Sequence, residues 1–191
     1  FVLSDMGDTM TTNENDVSLL LTVAVLGGTG KEGSGLAMRW ALNGYRVIIG
    51  SREANRAIER AGELNTQLGM DYLIGNDNAE AAAEANLVLL SVPYDAHPAT
   101  LEGLRDVLQG KILIDIAVPL EPPNVRSVYI PPGKSAALEA QEILGDGERV
   151  VGAFHNVSAA KLKDPATAID CDVLVCGDDA DAKADVMHLV Q

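Results

Sequence analysis

Val23-Ala24-Val25-Leu26-Gly27-Gly28-Thr29-Gly30-Lys31-Glu32-Gly33-Ser34-Gly35 runs from apolar, strand-like residues into a glycine cluster and on into a helical pattern carried by Leu36, Ala37, Trp40 and Ala41. Within it Gly28, Gly30 and Gly33 fit G-x-G-x-x-G. Each position has a physical task. The first glycine permits a tight strand-to-helix turn, the second lets a pyrophosphate approach bare backbone, and the third lets the helix pack close to the strand. The helix N-terminus adds unpaired N–H groups and the positive end of the helix dipole, which together favour an anion. In a chain with 18 glycines the motif alone is weak, and a purely structural turn would have the same spacing. Its context decides the reading: an apolar run before it, a helix after it and a second β-like run at 45–49 make Gly28, Thr29, Gly30, Lys31, Glu32 and Gly33 a candidate dinucleotide site.

Outward from this stretch, strand-like runs recur at 20–26, 45–49, 71–75, 86–92, 111–116, 149–153 and 172–176, separated mostly by helix-like segments. That alternation predicts an α/β fold, a doubly wound, mainly parallel sheet with helices on both faces and ligands at the carboxyl ends of the strands. Residues 76–85 (NDNAEAAAEA) predict one of the helices, with Asn76 or Asp77 available as N-cap. The adjacent acids Asp178-Asp179 predict another helix start. The proline-rich stretch from Pro119 to Gly133 predicts a long surface loop. A length of 191 residues allows one main core with an appendage. The expected division is a disordered acidic lead at 1–18, a nucleotide-binding domain at 19–148 and a small C-terminal extension at 149–191.

The net charge of −14, without a visible Lys/Arg cluster, excludes nucleic acid as the expected partner. An anionic ligand must then be met by locally placed basic groups. No apolar run reaches the roughly 18 residues of a membrane span, and the first residues lack a signal-peptide pattern, so a soluble cytoplasmic protein without a membrane partner is expected. Cys171 and Cys176 have an odd separation, which puts them on opposite faces of a strand-like run. They are expected to be buried free thiols, neither paired nor metal ligands.

After the second run comes Ile49-Gly50-Ser51-Arg52, where an NAD-binding fold places an acid for the ribose 2′-hydroxyl. A hydroxyl and a guanidinium suit a 2′-phosphate instead, and Arg56 lies one helical turn beyond Arg52, so NADP is preferred over NAD. Ser51 also serves as a cap for the helix beginning near Glu53, and both roles are compatible. Pro93 and Pro119 follow strand ends, where they read equally as terminators or as backbone lining a crevice in which a nicotinamide rests. His97 reads as a solvated or capping residue. His155-Asn156-Val157-Ser158-Ala159 follows a strand and offers an imidazole, an amide and a hydroxyl, groups suited to a polar heterocycle. No nucleophile–base–acid arrangement emerges, so no obligatory catalytic side chain is expected.

Taken together, GGTGKEGSGLA (27–37), IIGSRE (48–53), SVPYDAHPATL (91–101), GKILIDIAVPL (110–120), AFHNVSA (153–159) and DCDVLVCGDD (170–179) resemble the NADPH-dependent coenzyme F420 reductase family, the F420H2:NADP oxidoreductases. The resemblance spans nearly everything from about Leu19 to the end. It implies a Rossmann-type fold and an oxidoreductase that moves a hydride between NADP and the 8-hydroxy-5-deazaflavin coenzyme F420. By motif, Thr29 and Gly30 would contact pyrophosphate, and Ser51, Arg52 and Arg56 the 2′-phosphate. Val92, Val118 and Ala159 would frame the nicotinamide, while His155 and Asn156, with Ser158 beside them, would face the deazaflavin. Small-molecule redox carriers are the implied partners, and a homodimer the implied assembly. In the family a segment past the last helix completes the deazaflavin pocket and helps the dimer form, so residues 149–191 are expected to carry only part of that pocket. The competing readings are an NADP-dependent reductase of a flavin, a metal or a small organic substrate, and a non-enzymatic dinucleotide sensor. The HNVSA cluster weighs against the sensor, which needs no second heterocycle pocket.

Overall fold

A computed structural model describes residues 21–121 and 124–190, and the lead expected at 1–18 lies outside the described residues. In chain order the first half comprises β1 (Thr22–Leu26), α1 (Lys31–Leu42), β2 (Arg46–Ser51), α2 (Ala54–Leu68), β3 (Leu73–Asp77), α3 (Asn78–Glu84) and β4 (Leu87–Leu90). A single 3-10 turn (Tyr94–Ala96) leads into α4 (His97–Leu108), β5 (Ile112–Asp115), β6 (Leu120–Glu121), β7 (Asn124–Val128), α5 (Ala136–Leu144), β8 (Arg149–Gly152), α6 (Ala159–Leu162) and α7 (Ala180–His188). The main sheet has the order β3-β2-β1-β4-β5-β8 with every pairing parallel, the expected doubly wound Rossmann-type topology. The boundary expected at 148 falls just before β8, which pairs with β5 as the sixth strand of this same sheet.

Period-2 alternation divides the core. Val23 and Val25 of β1 pack with Leu36 and Trp40 of α1, Leu64 of α2 and Val186 of α7. Ala24 and Leu26 pack on the other face with Ala81 of α3, Leu101 of α4 and Ala140 of α5. A strand buried on both faces must be apolar throughout, and β4 (Leu87–Leu90) is, each fully buried side chain being worth about 1.5–3 kcal/mol. Trp40 ties α1 to the C-terminal elements: its indole Nε1 donates to the Leu189 carbonyl at 2.9 Å and its ring meets Phe154 edge-on.

Local signals place the helices. Asp77 ends β3 and caps α3, its carboxylate accepting from the Ala79 and Glu80 amides, so of the two expected caps it is Asp77 that starts the helix. Asp179 caps α7 in the same way through the Ala182 amide. Three expectations are corrected. The stretch expected as a long loop contains the β6–β7 hairpin, because β-branched Val125 and Val128 sit between its prolines. The run at 172–176 is no strand: Cys176 makes one isolated antiparallel bridge to Gly152, exchanging both backbone hydrogen bonds at the sheet edge. Consequently nothing covers the cysteines, and Cys171 and Cys176 are exposed free thiols.

Candidate functional site

Parallel register brings the strand ends to one level. Leu26 lies opposite Gly50 and Leu90, Leu90 opposite Asp115, and Asp115 opposite Gly152. The residues that follow, Gly27, Ser51, Ser91, Ile116 and Ala153, therefore emerge along a single edge. Connections from β1 and β4 leave on opposite faces of the sheet, which opens a crevice between them. That crevice is a cleft of about 960 Å³. In strand order its walls run from Ser51 at the end of β2 with Arg52 and Arg56 beyond it, through Thr29, Gly30, Lys31 and Glu32 after β1, to Val92 after β4, Val118 after β5, and His155 and Ala159 after β8.

The glycine turn divides its labour differently from the sequence expectation. The left-handed backbone that makes the tight turn is at Gly27 (φ +71°), where a Cβ would also stand 2.5 Å from the Ser91 carbonyl oxygen. Gly28 is buried just behind it, and a Cβ on Gly33 would meet the Gly28 Cα at 3.0 Å, so helix and strand do approach as closely as the motif implies. Gly30 differs. It is exposed at the cleft, and a Cβ there would touch only the Gly27 oxygen at 3.4 Å. Folding makes little demand for glycine at this position, whereas a group seated on α1 does. Gly30 is the N-cap of α1 and no side chain caps the helix, so its first amides remain available. Ser34 fixes the turn from beneath, donating to the Gly28 carbonyl at 2.7 Å and accepting from Arg60 Nε at 3.0 Å.

At the β2 end Ser51 is buried and its hydroxyl accepts from the Glu53 amide at 3.3 Å, a bond in the turn ahead of α2, whose N-cap is Glu53 itself. Arg52 and Arg56 are exposed on the cleft and form no ion pair with the described residues. In a chain of net charge −14, two unpaired guanidiniums and Lys31 on one cleft mark where a polyanion fits.

At the β8 end, Phe154 is buried with a left-handed backbone (φ +61°), and the chain turns there as the Val157 amide donates to its carbonyl. This turn presents His155, exposed, to the cleft. Asn156 and Ser158 are exposed beside it without lining the cleft; the Asn156 amide donates to the Asp172 carbonyl at 2.8 Å, and Ser158 is the N-cap of α6.

A sequence-family model described as "NADP oxidoreductase coenzyme F420-dependent" matches residues 22–119. The F420-dependent NADP reductase of Methanocaldococcus jannaschii is 41% identical over 88% of this chain and 78% of that protein. The chain belongs to the coenzyme F420-dependent NADP oxidoreductase family. The F420-dependent NADP reductase of Methanothermobacter marburgensis is 42% identical over 85% of this member and 75% of its own length. Among solved structures, an imine reductase from Myxococcus stipitatus (TM-score 0.60, 17% identity, 88% of this chain and 50% of that one) and a pyrroline-5-carboxylate reductase from Coxiella burnetii (TM-score 0.59, 19%, 88% and 54%) share the fold.

Several cleft residues of this family member escape the sequence reading. Asn78 and Thr100 line the cleft alongside Arg52, and the Asn78 Oδ1 is buried with no hydrogen-bond partner among the described residues. Asn78 directly follows β3, which was the available signal, whereas Thr100 lies inside the first turn of α4 and carries none. Tyr94 lines the cleft and donates its hydroxyl to Glu139 Oε2 at 2.6 Å, while Glu139 Oε1 accepts from the Gly133 amide at 3.3 Å. Burial, followed by the Glu139 carboxylate, holds the Tyr94 phenol above its ordinary range, so it stays a donor. The largest correction is His97. It is fully buried, with Nε2 2.8 Å from Oδ2 of an equally buried Asp115. An acid inside the apolar run Ile112–Asp115 needs a buried partner, which is the signal that points to it.

No helix among the described residues is long and apolar enough to cross a membrane.

Proposed function

We propose that this enzyme transfers a hydride between NADP(H) and the deazaflavin coenzyme F420. The reading rests above all on the continuity of one cleft, with free cations at its β2 end and an exposed imidazole at its β8 end. The residues fit the dinucleotide: Gly30 offers a bare backbone, α1 offers uncapped amides, and Arg52 and Arg56 are unpaired. In this reading Ser51, Arg52 and Arg56 hold the 2′-phosphate, and the turn from Gly28 to Gly33 holds the pyrophosphate. Val92, Val118 and Ala159 frame the nicotinamide, and His155, with Asn156 and Ser158 at the rim, faces the deazaflavin. When bound, the two carriers supply the redox chemistry; the protein holds donor and acceptor carbons at near-attack distance and excludes water. In this reading no side chain is needed as an obligatory acid or base, because the hydride passes directly between the two carriers. The enzyme should oxidise NADPH with F420 and not with FMN or FAD, and equal activity with a flavin would overturn the assignment. The reading extends to a cytoplasmic homodimer acting on diffusible carriers, for which sedimentation should give the mass of two chains.

Cofactor choice tests the basic end separately. Arg52→Ala should weaken NADPH binding by roughly 10- to 100-fold, the loss of about 1.5–3 kcal/mol of charge-assisted hydrogen bonding, and leave NADH nearly unchanged. Titrating both nucleotides by fluorescence measures this; equal losses would remove Arg52 from the 2′-phosphate.

Glu32 gives a pH dependence. Burial holds its carboxyl above the ordinary range, and it lies on the cleft in the first turn of α1. A raised folded pKa means that the ionised form is disfavoured, and a neighbouring pyrophosphate disfavours it further. Dinucleotide binding therefore takes up a proton, and affinity gains as pH falls through the titration of Glu32. Glu32→Gln should bind NADP more tightly than wild type at neutral pH, by about two- to fivefold, with the advantage shrinking on acidification. Taking the ratio of the two proteins cancels titration of the nucleotide's own phosphate.

A further inference from the structure

Three segments form the part of the cleft beyond the glycine turn: the loop after β4 with Val92 and Tyr94, the residues after β5 with Ala117 and Val118, and the residues after β8 with His155. All three are joined at Asp115. Its Oδ2 receives the His97 Nε2–H at 2.8 Å, which fixes the start of α4 directly after the β4 loop. Its Oδ1 accepts from the Ala117 amide at 2.8 Å, which sets the backbone of the cleft wall after β5. Its carbonyl accepts from the Ala153 amide at 3.1 Å, two residues before His155. Neither Asp115 nor His97 has any exposed surface, and neither lines the cleft.

A fully buried carboxylate is expensive unless donors meet it, and a hydrophobic pair of similar volume would hold the same elements at no such cost. The apolar alternative lacks direction. Two hydrogen bonds from one planar carboxylate fix both the separation and the angle between α4 and the Ala117 backbone, whereas packed methyl groups tolerate sliding. The His97 ring is further constrained by Tyr94, whose ring lies 6.1 Å away at 31°, so the same pair steadies a residue of the cleft. His97 Nδ1 has no hydrogen-bond partner among the described residues, leaving Asp115 as the contact that orients the imidazole.

We propose that His97 and Asp115 are positioning residues for hydride transfer: the buried pair locks the β4 and β5 loops in the spacing that seats the nicotinamide opposite its acceptor. This rests on the proposed hydride transfer to F420. The nucleotide is gripped at Arg52, Arg56 and the glycine turn, away from the pair, so loosening the pair alters geometry without releasing the nucleotide. His97→Leu fills the volume and removes the donor. His97→Gln places an amide N–H near the position of Nε2 and restores it. Asp115→Asn, one atom changed and neutral, keeps the acceptor for Ala117 and forces His97 into the tautomer whose Nδ1–H is buried without an acceptor; it serves if His97→Leu does not fold.

In single-turnover mixing of NADPH-loaded enzyme with F420, His97→Leu should slow transfer at least tenfold and Asp115→Asn about fivefold, with the NADPH dissociation constant within about twofold of wild type. His97→Gln should transfer within about threefold of wild type. The enhancement of bound-NADPH fluorescence should fall in His97→Leu and Asp115→Asn and recover in His97→Gln. That second signal reports nicotinamide seating whether or not F420 is the acceptor, so a wild type inert toward F420 would fail the function and leave the pair still tested. The proposal is overturned if a folded His97→Leu or Asp115→Asn protein retains wild-type transfer and fluorescence, if His97→Gln is as impaired as His97→Leu, or if the whole loss lies in NADPH affinity.

Discussion

Gly30→Val is expected to abolish NADPH binding while the protein melts close to the wild-type temperature. Gly30 has φ −72° and ψ 163°, a conformation open to any L-residue, so valine introduces no backbone strain. Its Cβ would touch only the Gly27 carbonyl oxygen, at 3.4 Å, so the fold has room for it. What valine does fill is the approach to the first turn of α1, where uncapped amides meet the phosphates. Gly27→Val is the opposing control. Its φ of +71° is unfavourable for a β-branched residue and the Cβ would collide with the Ser91 carbonyl at 2.5 Å, so this variant should lose stability outright. Calorimetric titration with NADPH alongside thermal melts separates the two. A folded Gly30→Val protein that still binds NADPH would make the loop a structural turn and nothing more.

That contrast also marks how far the sequence could be read. Strand existence and the parallel topology follow from apolar runs broken at regular intervals, because a strand covered by helices on both faces has no other way to be written. The residues that line the cleft at the β1 and β2 ends were local in the same way: Gly30 lies four residues past β1, Ser51 ends β2 and Arg52 follows it directly. Which glycine takes the left-handed turn was not legible, since Gly27 and Gly28 are adjacent and only the path of Ser91 against the turn selects the first. His97 and Asp115 lie 18 residues apart on different elements, and their meeting depends on α4 folding back over β5. Local reading sees in His97 only a polar residue at a helix start. Cys171 and Cys176 mislead in the opposite sense. Their apolar neighbours suggested a strand, yet the segment lies at the edge of the sheet beyond β8, where one bridge at Cys176 is all the pairing it makes.

His155→Ala is the second large effect expected, and it falls on a different step. The preceding Phe154 is held at φ +61°, a conformation that costs of order 1–3 kcal/mol for a bulky residue and persists because its buried ring is fixed against Trp40, centroids 5.8 Å apart. Gly152 supplies the room: a Cβ there would stand 3.2 Å from the His155 Cε1. Thus the turn delivers the imidazole to the cleft, where its side chain makes no hydrogen bond with the described residues and is free to meet a ligand. A group that bonds to the polar edge of the acceptor stabilises the charge that develops after hydride transfer and contributes nothing to holding the 2′-phosphate or the pyrophosphate. Removing it should therefore leave the NADPH dissociation constant within about twofold and slow hydride transfer to F420 by about tenfold or more, the scale of one preorganised electrostatic contact. Stopped-flow mixing of the variant with NADPH and F420 measures both quantities. The imidazole is exposed and unbonded, so its loss should not lower the melting temperature, and a rate defect cannot then be assigned to unfolding. An unchanged transfer rate would leave the strained turn at Phe154 serving only the Trp40 contact, and would move recognition of the acceptor to other residues of the cleft.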